Sequence, residues 1–207
     1  MYVEVFFLGI LIALSPGPDF VIVMKNSLGI GRNHGIATAL GIASALIIHV
    51  AYTVLGFTII LEKWPVIFNF IKLLGAIYLL WLGWKGIRSK AVPESSNELY
   101  VEQSPKRSLV QGFREGFLCN LLNPKAPLFF LSVFSQFIGH NTPNWVRWIY
   151  GGEIIIVVGI WFTLLAILIS NNYFKKIYQN NMHWFDRGLG IVLIIFAFTI
   201  GITAFSI

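Results

Sequence analysis

The chain has 207 residues, a formal net charge of +6, 57% hydrophobic residues, 12% charged residues and a mean hydropathy of +0.75. Soluble domains are nearer about 45–50% apolar and about 25% charged, so a water-soluble globule is excluded and a polytopic membrane protein is implied. The basic residues sit at the ends of apolar segments without a basic-aromatic array, which argues against nucleic acid as a partner, and the single cysteine, Cys119, excludes an internal disulfide and two-thiol chemistry.

A membrane-crossing helix needs about 20 mostly apolar residues. In chain order the qualifying segments are 2–24, 35–61, 65–87, 109–138, 148–170 and 184–205, which predicts six transmembrane helices. The first has no Lys or Arg before its apolar stretch and no small-residue cleavage site, so it is expected to be a retained span and not a signal peptide. Trp64, Trp84, Trp145, Trp148 and Trp184 fall near predicted helix ends, as interfacial anchors do. The whole chain, 1–207, is expected to form a single transmembrane domain. Repeat one covers about 1–87, an aqueous cytoplasmic linker rich in Glu, Pro and Ser covers about 88–108, and repeat two covers about 109–207.

Orientation follows from the basic residues. Lys25, Arg32, Lys85, Arg88, Lys90, Lys106, Arg107, Arg114, Lys175, Lys176 and Arg187 belong to one side, whereas Lys63, Lys72 and Arg147 belong to the other. The positive-inside rule puts the first set in the cytoplasm and both termini in the periplasm. Phe70, Lys72, Leu74 and Gly75 recur at one constant offset as Phe185, Arg187, Leu189 and Gly190, which suggests an internal repeat. Two halves of three spans each have opposite topology. The expected architecture is therefore an all-α membrane protein of two inverted three-helix repeats, a plan on which secondary transporters bind substrate near the bilayer midplane.

The first and fourth segments are interrupted. Ser15-Pro16-Gly17-Pro18-Asp19 breaks one, and Asn123-Pro124-Lys125-Ala126-Pro127 breaks the other. Proline removes a backbone hydrogen bond, and a lysine at the helix centre costs about 2.5–3.5 kcal/mol on insertion scales. Such features persist where broken backbone lines a cavity. Ser15-Pro16 and Asn123-Pro124 each read as an N-cap followed by proline at the first helical position. Pro16 would leave the Ile12 carbonyl without its helical partner, and Pro124 would do the same to Asn120. The new helix starts would offer amides at Gly17, Asp19, Lys125 and Ala126 to an anion. Ser15, Pro16, Gly17, Pro18, Asp19, Asn123, Pro124 and Lys125 are thus the candidate substrate-binding residues. Two readings of the charges stay open: a buried Asp19–Lys125 pair locking the halves, or Lys125 on a substrate carboxylate and Asp19 on its amine or a coupling proton.

His49, mid-helix, and Glu153, one turn into the fifth segment, join Asp19 as proton-coupling candidates, although a packed histidine and an interfacial glutamate are the plainer alternatives. Arg114 and Glu115 read as solvated ends. Gly31, Gly35, Ala37, Ala39, Gly41, Ala45, Gly75 and Gly190 read as close-packing positions between helices. Cys119 reads as a small packing residue. The zinc-protease, nucleophile-elbow and phosphate-loop patterns are missing, and the four histidines fall on different elements, so neither an enzyme, a metal site nor a cofactor is expected.

The chain resembles the LysE-type amino-acid exporters, particularly the homoserine/threonine (RhtB) branch. The resemblance rests on Ser15-Pro16-Gly17-Pro18-Asp19, the glycine-spaced stretch 31–52 with His49, the stretch 73–83, and Gly116-Phe117-Leu118 through Asn123-Pro124-Lys125 to Phe130. It covers almost the whole chain. It implies a secondary active exporter in a bacterial inner membrane that moves an amino acid or close derivative on the proton gradient. The partners are then a small amino-acid substrate and the lipid bilayer, with room for a homo-oligomer. Cys119 stands where a small polar residue is expected, and Pro127 where alanine is common. The alternative on the same architecture is an inorganic or metal ion exporter, for which only Asp19 and His49 offer midplane ligands. A membrane enzyme or thiol carrier and a non-transporting scaffold are weaker still.

Overall fold

The computed structural model describes residues 2–15, 17–89, 108–139, 142–170 and 172–205. Pro16 and linker positions 90–107 lie outside them. Among the described residues there are eight helices and no strand: α1 (Tyr2–Leu14), α2 (Pro18–Gly29), α3 (Arg32–Lys63), α4 (Pro65–Ile87), α5 (Leu109–Leu121), α6 (Lys125–Phe137), α7 (Asn144–Ile169) and α8 (Asn172–Phe205).

Length and apolarity qualify three of these to cross a membrane: α3 over Arg32–Gly56, α4 over Val66–Ile87, and α7. Two further crossings come from bent pairs, α1 with α2 at 60° and α5 with α6 at 56°, for up to five. Both expected interruptions are therefore present. The sixth expected segment, 184–205, is the second part of α8, a 34-residue helix. At about 1.5 Å per residue α8 is longer than a bilayer core is thick.

Local chemistry sets the boundaries. Pro18 and Pro65 stand at the first positions of α2 and α4, where a missing amide is tolerated and φ is already helical. Between α2 and α3 the chain turns through Gly31 at φ +128°, a conformation that side-chain-bearing residues rarely adopt. Its amide and that of Ile30 both close on the Asn26 carbonyl.

Around the helices the surface is apolar. Phe70, Ile160, Phe198 and Ile202 are each more than half exposed, and so are Trp64, Trp84, Trp145 and Trp184. Polar groups are buried instead, among them Ser15, Asn26, His49, Asn120 and Asn123. That inside-out distribution suits a bilayer.

In the interior, α3 packs against α5, α7, α2 and α6, while α4 packs against α8 and α6, and α1 against α7. The α3–α5 contact has almost no intervening side chain. A Cβ on Gly41 would lie 2.0 Å from the Phe113 carbonyl oxygen, and one on Gly116 would lie 2.0 Å from that of Thr38. Likewise a Cβ on Gly75 would lie 2.8 Å from Ser132 Cα, and one on Gly190 would lie 2.5 Å from the Gly83 carbonyl oxygen. Gly41, Gly75 and Gly190 act as the sequence suggests, letting backbones approach.

Candidate functional site

The two breaks meet. Lys125, the first residue of α6, reaches across to donate from Nζ to the Ser15 carbonyl at 2.5 Å, at the end of α1. The same ammonium lies over Gly17, where an added Cβ would be 3.4 Å from Nζ. Asp19, in the first turn of α2, points the other way, toward α5. Its Oδ2 accepts from Asn120 Nδ2 at 2.9 Å and from Asn123 Nδ2 at 3.1 Å. Among the described residues no group donates to its buried Oδ1 or to Asn120 Oδ1.

Both charged residues line one closed pocket, with Ser15, Gly17, Asn120 and Asn123 beside them and Ile154, Val158 and Phe162 of α7 behind. The free room in it is about 20 Å³. A single water needs roughly 10–15 Å³ on that measure, so in this conformation the pocket has room for little more than one water.

Two details differ from the sequence reading of the helix starts. First, α2 begins two residues later than Ser15-Pro16, with Gly17 as N-cap and Pro18 at the first helical position. Both prolines satisfy that position in sequence terms, and the later one takes it. Gly17 offers no side-chain cap, so the start of α2 carries none. Second, the start of α6 is already occupied. Asn123 Oδ1 accepts from the Lys125 amide at 3.0 Å, and the Asn123 carbonyl accepts from the Ala126 amide at 3.3 Å. Two of the four amides expected to face an anion, those of Lys125 and Ala126, are thus bonded within the chain. Pro127 lies in the first turn of α6, where it interrupts no helical hydrogen bond.

His49 answers the expected defect at Pro124. The Asn120 carbonyl, deprived of its helical donor, accepts from the Asn123 amide at 3.0 Å, and His49 Nε2 lies 3.2 Å from it. With Nε2 donating to a carbonyl, a neutral imidazole leaves Nδ1 as acceptor for the Tyr52 hydroxyl at 2.6 Å. His49 thus touches Asp19 only through Asn120, as a support for the break. Replacing it with Gln, which keeps an N–H donor, is expected to retain folded protein. Replacing it with Leu, which removes one of that carbonyl's donors and the acceptor of the Tyr52 hydroxyl, should lower stability by about 0.5–1.5 kcal/mol, readable as a lower thermal midpoint in detergent.

Glu153 is not brought to this pocket. It lines a separate open depression with Phe6, Ile149, Gly152, Ile156 and Val157, where α1 lies against α7. Cys119 does come near, its thiol within reach of the Asp19 carboxylate. Glu115 is more than a solvated end: it accepts from Asn26 Nδ2 at 2.9 Å and Gln111 Nε2 at 3.2 Å, with His34 Nε2 at 3.9 Å. The sequence reading gave no side-chain role to Asn120 or Tyr52. For Asn120 a signal existed, since an amide three residues before Asn123 in an apolar helix lies on the same face.

A helical membrane chain that gathers an acid and a base into a closed chamber between two helix breaks has the build of a solute translocator. Residues 10–203 match the LysE type translocator family, and the chain belongs to it. It is therefore a transport protein and not an enzyme. Among its relatives, the threonine efflux protein of Escherichia coli is 31% identical over 202 residues, covering 94% of this chain and 98% of that one. That of Salmonella typhi is 32% identical over 192 residues, covering 88% and 91%. The uncharacterized membrane protein YrhP of Bacillus subtilis is 32% identical over 200 residues, covering 93% and 94%. No solved structure matches the chain.

Proposed function

We propose that this protein exports a small zwitterionic amino acid across the bacterial inner membrane, with the Asp19–Lys125 pocket as its midplane binding site. The observation that carries this is the pocket's own chemistry. It presents an ammonium at Lys125 and two acceptors, Asp19 Oδ1 and Asn120 Oδ1, to which no group donates among the described residues. An α-amino acid supplies the complement: a carboxylate for Lys125 and for the uncapped start of α2, and an ammonium for the two oxygens. The threonine efflux relatives support a small hydroxylated or neutral substrate.

The pocket also suggests how transport is coupled. With no substrate amine present, Asp19 is the group best placed to take a proton, because its free oxygen faces the pocket. His49 is committed to the Asn120 carbonyl and Glu153 lies elsewhere, so both rank below it. The inorganic-ion alternative lacks a ligand set, since no three His, Cys, Asp or Glu side chains converge among the described residues.

The architecture proposed is six spans, with α8 supplying the sixth, in two inverted repeats of α1–α4 and α5–α8 and with both termini periplasmic. The helix pairing supports it. Exchanging the halves turns α3–α5 packing into α7–α1 packing, and α3–α6 into α7–α2, and all four are present. The two bends, 60° and 56°, also correspond.

The deciding experiment feeds cells single amino acids as dipeptides and follows efflux with and without the protein. Threonine is expected to leave faster when it is present. Efflux that is unchanged for every amino acid tried would sink the proposal.

A further inference from the structure

A second chamber adjoins the closed pocket and is far larger. It has a volume of about 490 Å³, lies between the C-terminal end of α4 and the facing part of α8, and shares Ser15 with the closed pocket. Ser15 is the residue whose carbonyl holds the Lys125 ammonium, so one residue separates the two spaces. Small-molecule sites occupy roughly 300–1,000 Å³, a range that includes this chamber and excludes the pocket with about 20 Å³ of room. In this conformation, only the larger of the two can admit an amino acid.

Its walls carry both signs of charge. Asp186 of α8 is buried, 6% exposed, and its Oδ2 accepts from Ser89 Oγ at 2.6 Å. Opposite, Lys85 lies over the Trp81 ring at 5.4 Å and Arg88 over the Trp84 ring at 4.6 Å. All of these residues line the chamber. A purely structural account has Asp186 tying α8 to the end of α4 through Ser89. That account explains one carboxylate oxygen and one hydroxyl. It leaves a buried acid and two cations facing a space that needs none of them.

We propose that this chamber is an outer binding site for the same zwitterionic substrate. Asp186 takes its ammonium, Lys85 and Arg88 take its carboxylate, and the substrate then moves past Ser15 to Asp19 and Lys125. The inference rests on the amino-acid reading of the midplane pocket. Lys85 and Arg88 belong to the side that the basic residues assign to the cytoplasm, where an exporter loads.

The test titrates L-threonine into detergent-purified protein and follows tryptophan fluorescence, since Trp81 and Trp84 line the chamber. In the Lys125→Met variant, which removes the midplane cation, a saturable change is expected to persist. Adding Asp186→Asn, whose amide oxygen can still accept from Ser89, should weaken it about tenfold or more, and Asp186→Glu should restore it in part. If Asp186→Asn lowers the thermal midpoint, Lys85→Met replaces it in the series, because that residue is exposed and outside the Ser89 tie. Loss of the whole signal in Lys125→Met overturns the outer site, and so does a signal indifferent to positions 186 and 85. Export that survives Lys125→Met would instead strike at the midplane site, so the two failures are distinguishable.

Discussion

Lys125→Met is expected to reduce amino-acid efflux by about a hundredfold or more, to the level of cells without the protein, while leaving the amount of inserted protein unchanged. Methionine keeps most of the length and the apolar stem, so packing against Gly17 is retained. What goes is the ammonium. A hydrogen bond to a charged group contributes roughly 1.5–3 kcal/mol net, and the upper end is about a hundredfold. The Ser15 carbonyl loses its donor, at a cost of about 1–3 kcal/mol readable as a lower thermal midpoint, whereas insertion depends on the apolar segments, so efflux and abundance should separate. Asp19→Asn should match it in efflux, because an amide oxygen offers a substrate ammonium no countercharge and cannot carry a proton. The measurement is initial efflux after dipeptide loading, normalised to membrane-extracted protein. Efflux near the parent level in either variant would remove the Asp19–Lys125 pocket from the transport path.

The second large effect is on assembly. Gly116→Leu should prevent α3 and α5 from meeting and leave little folded protein. Even the first carbon of that side chain would lie 2.0 Å from the Thr38 carbonyl oxygen, which is main chain and cannot rotate away. Overpacking a well-filled interior costs about 1–3 kcal/mol where side chains can adjust, and here they cannot, so a larger loss is expected. Gly188→Leu serves as the control, since a Cβ there meets nothing within 4 Å. The readout is the yield of monodisperse protein after extraction. Equal yields for the two variants would show that the α3–α5 approach can open.

Much of this was legible in the amino-acid order because the bilayer makes local anomalies expensive. Prolines in an apolar run mark a break wherever the chain goes afterwards, and Asp19 and Lys125 stand out because water cannot solvate them there. Less legible was how the broken ends are satisfied. A further donor to the Asn120 carbonyl comes from His49, 71 residues away in the chain, and the amides that hold Asp19 come from 101 and 104 residues away. No local pattern encodes such partners. The sequence pattern makes Asn123 the cap of α6, whereas Pro124 takes that position, and the bond from the Lys125 amide to Asn123 Oδ1 needs the geometry of the turn. Glu115 looked like a helix-end charge for the same reason, since Asn26 lies 89 residues away.

One asymmetry in the packing has a mechanical meaning. α6 lies against α4, but α2 has no comparable contact with α8 among the described residues. Under the proposed repeat these are equivalent joints, one latched and one open, and the chamber at Asp186 and Ser15 borders the open one. Swapping their states, with α2 closing on α8 as α6 swings off α4, yields the mirror-facing carrier without any new type of interface. The transport cycle would then be a seesaw whose two resting positions are drawn from one set of contacts, with Ser132 against Gly75 as the catch that releases.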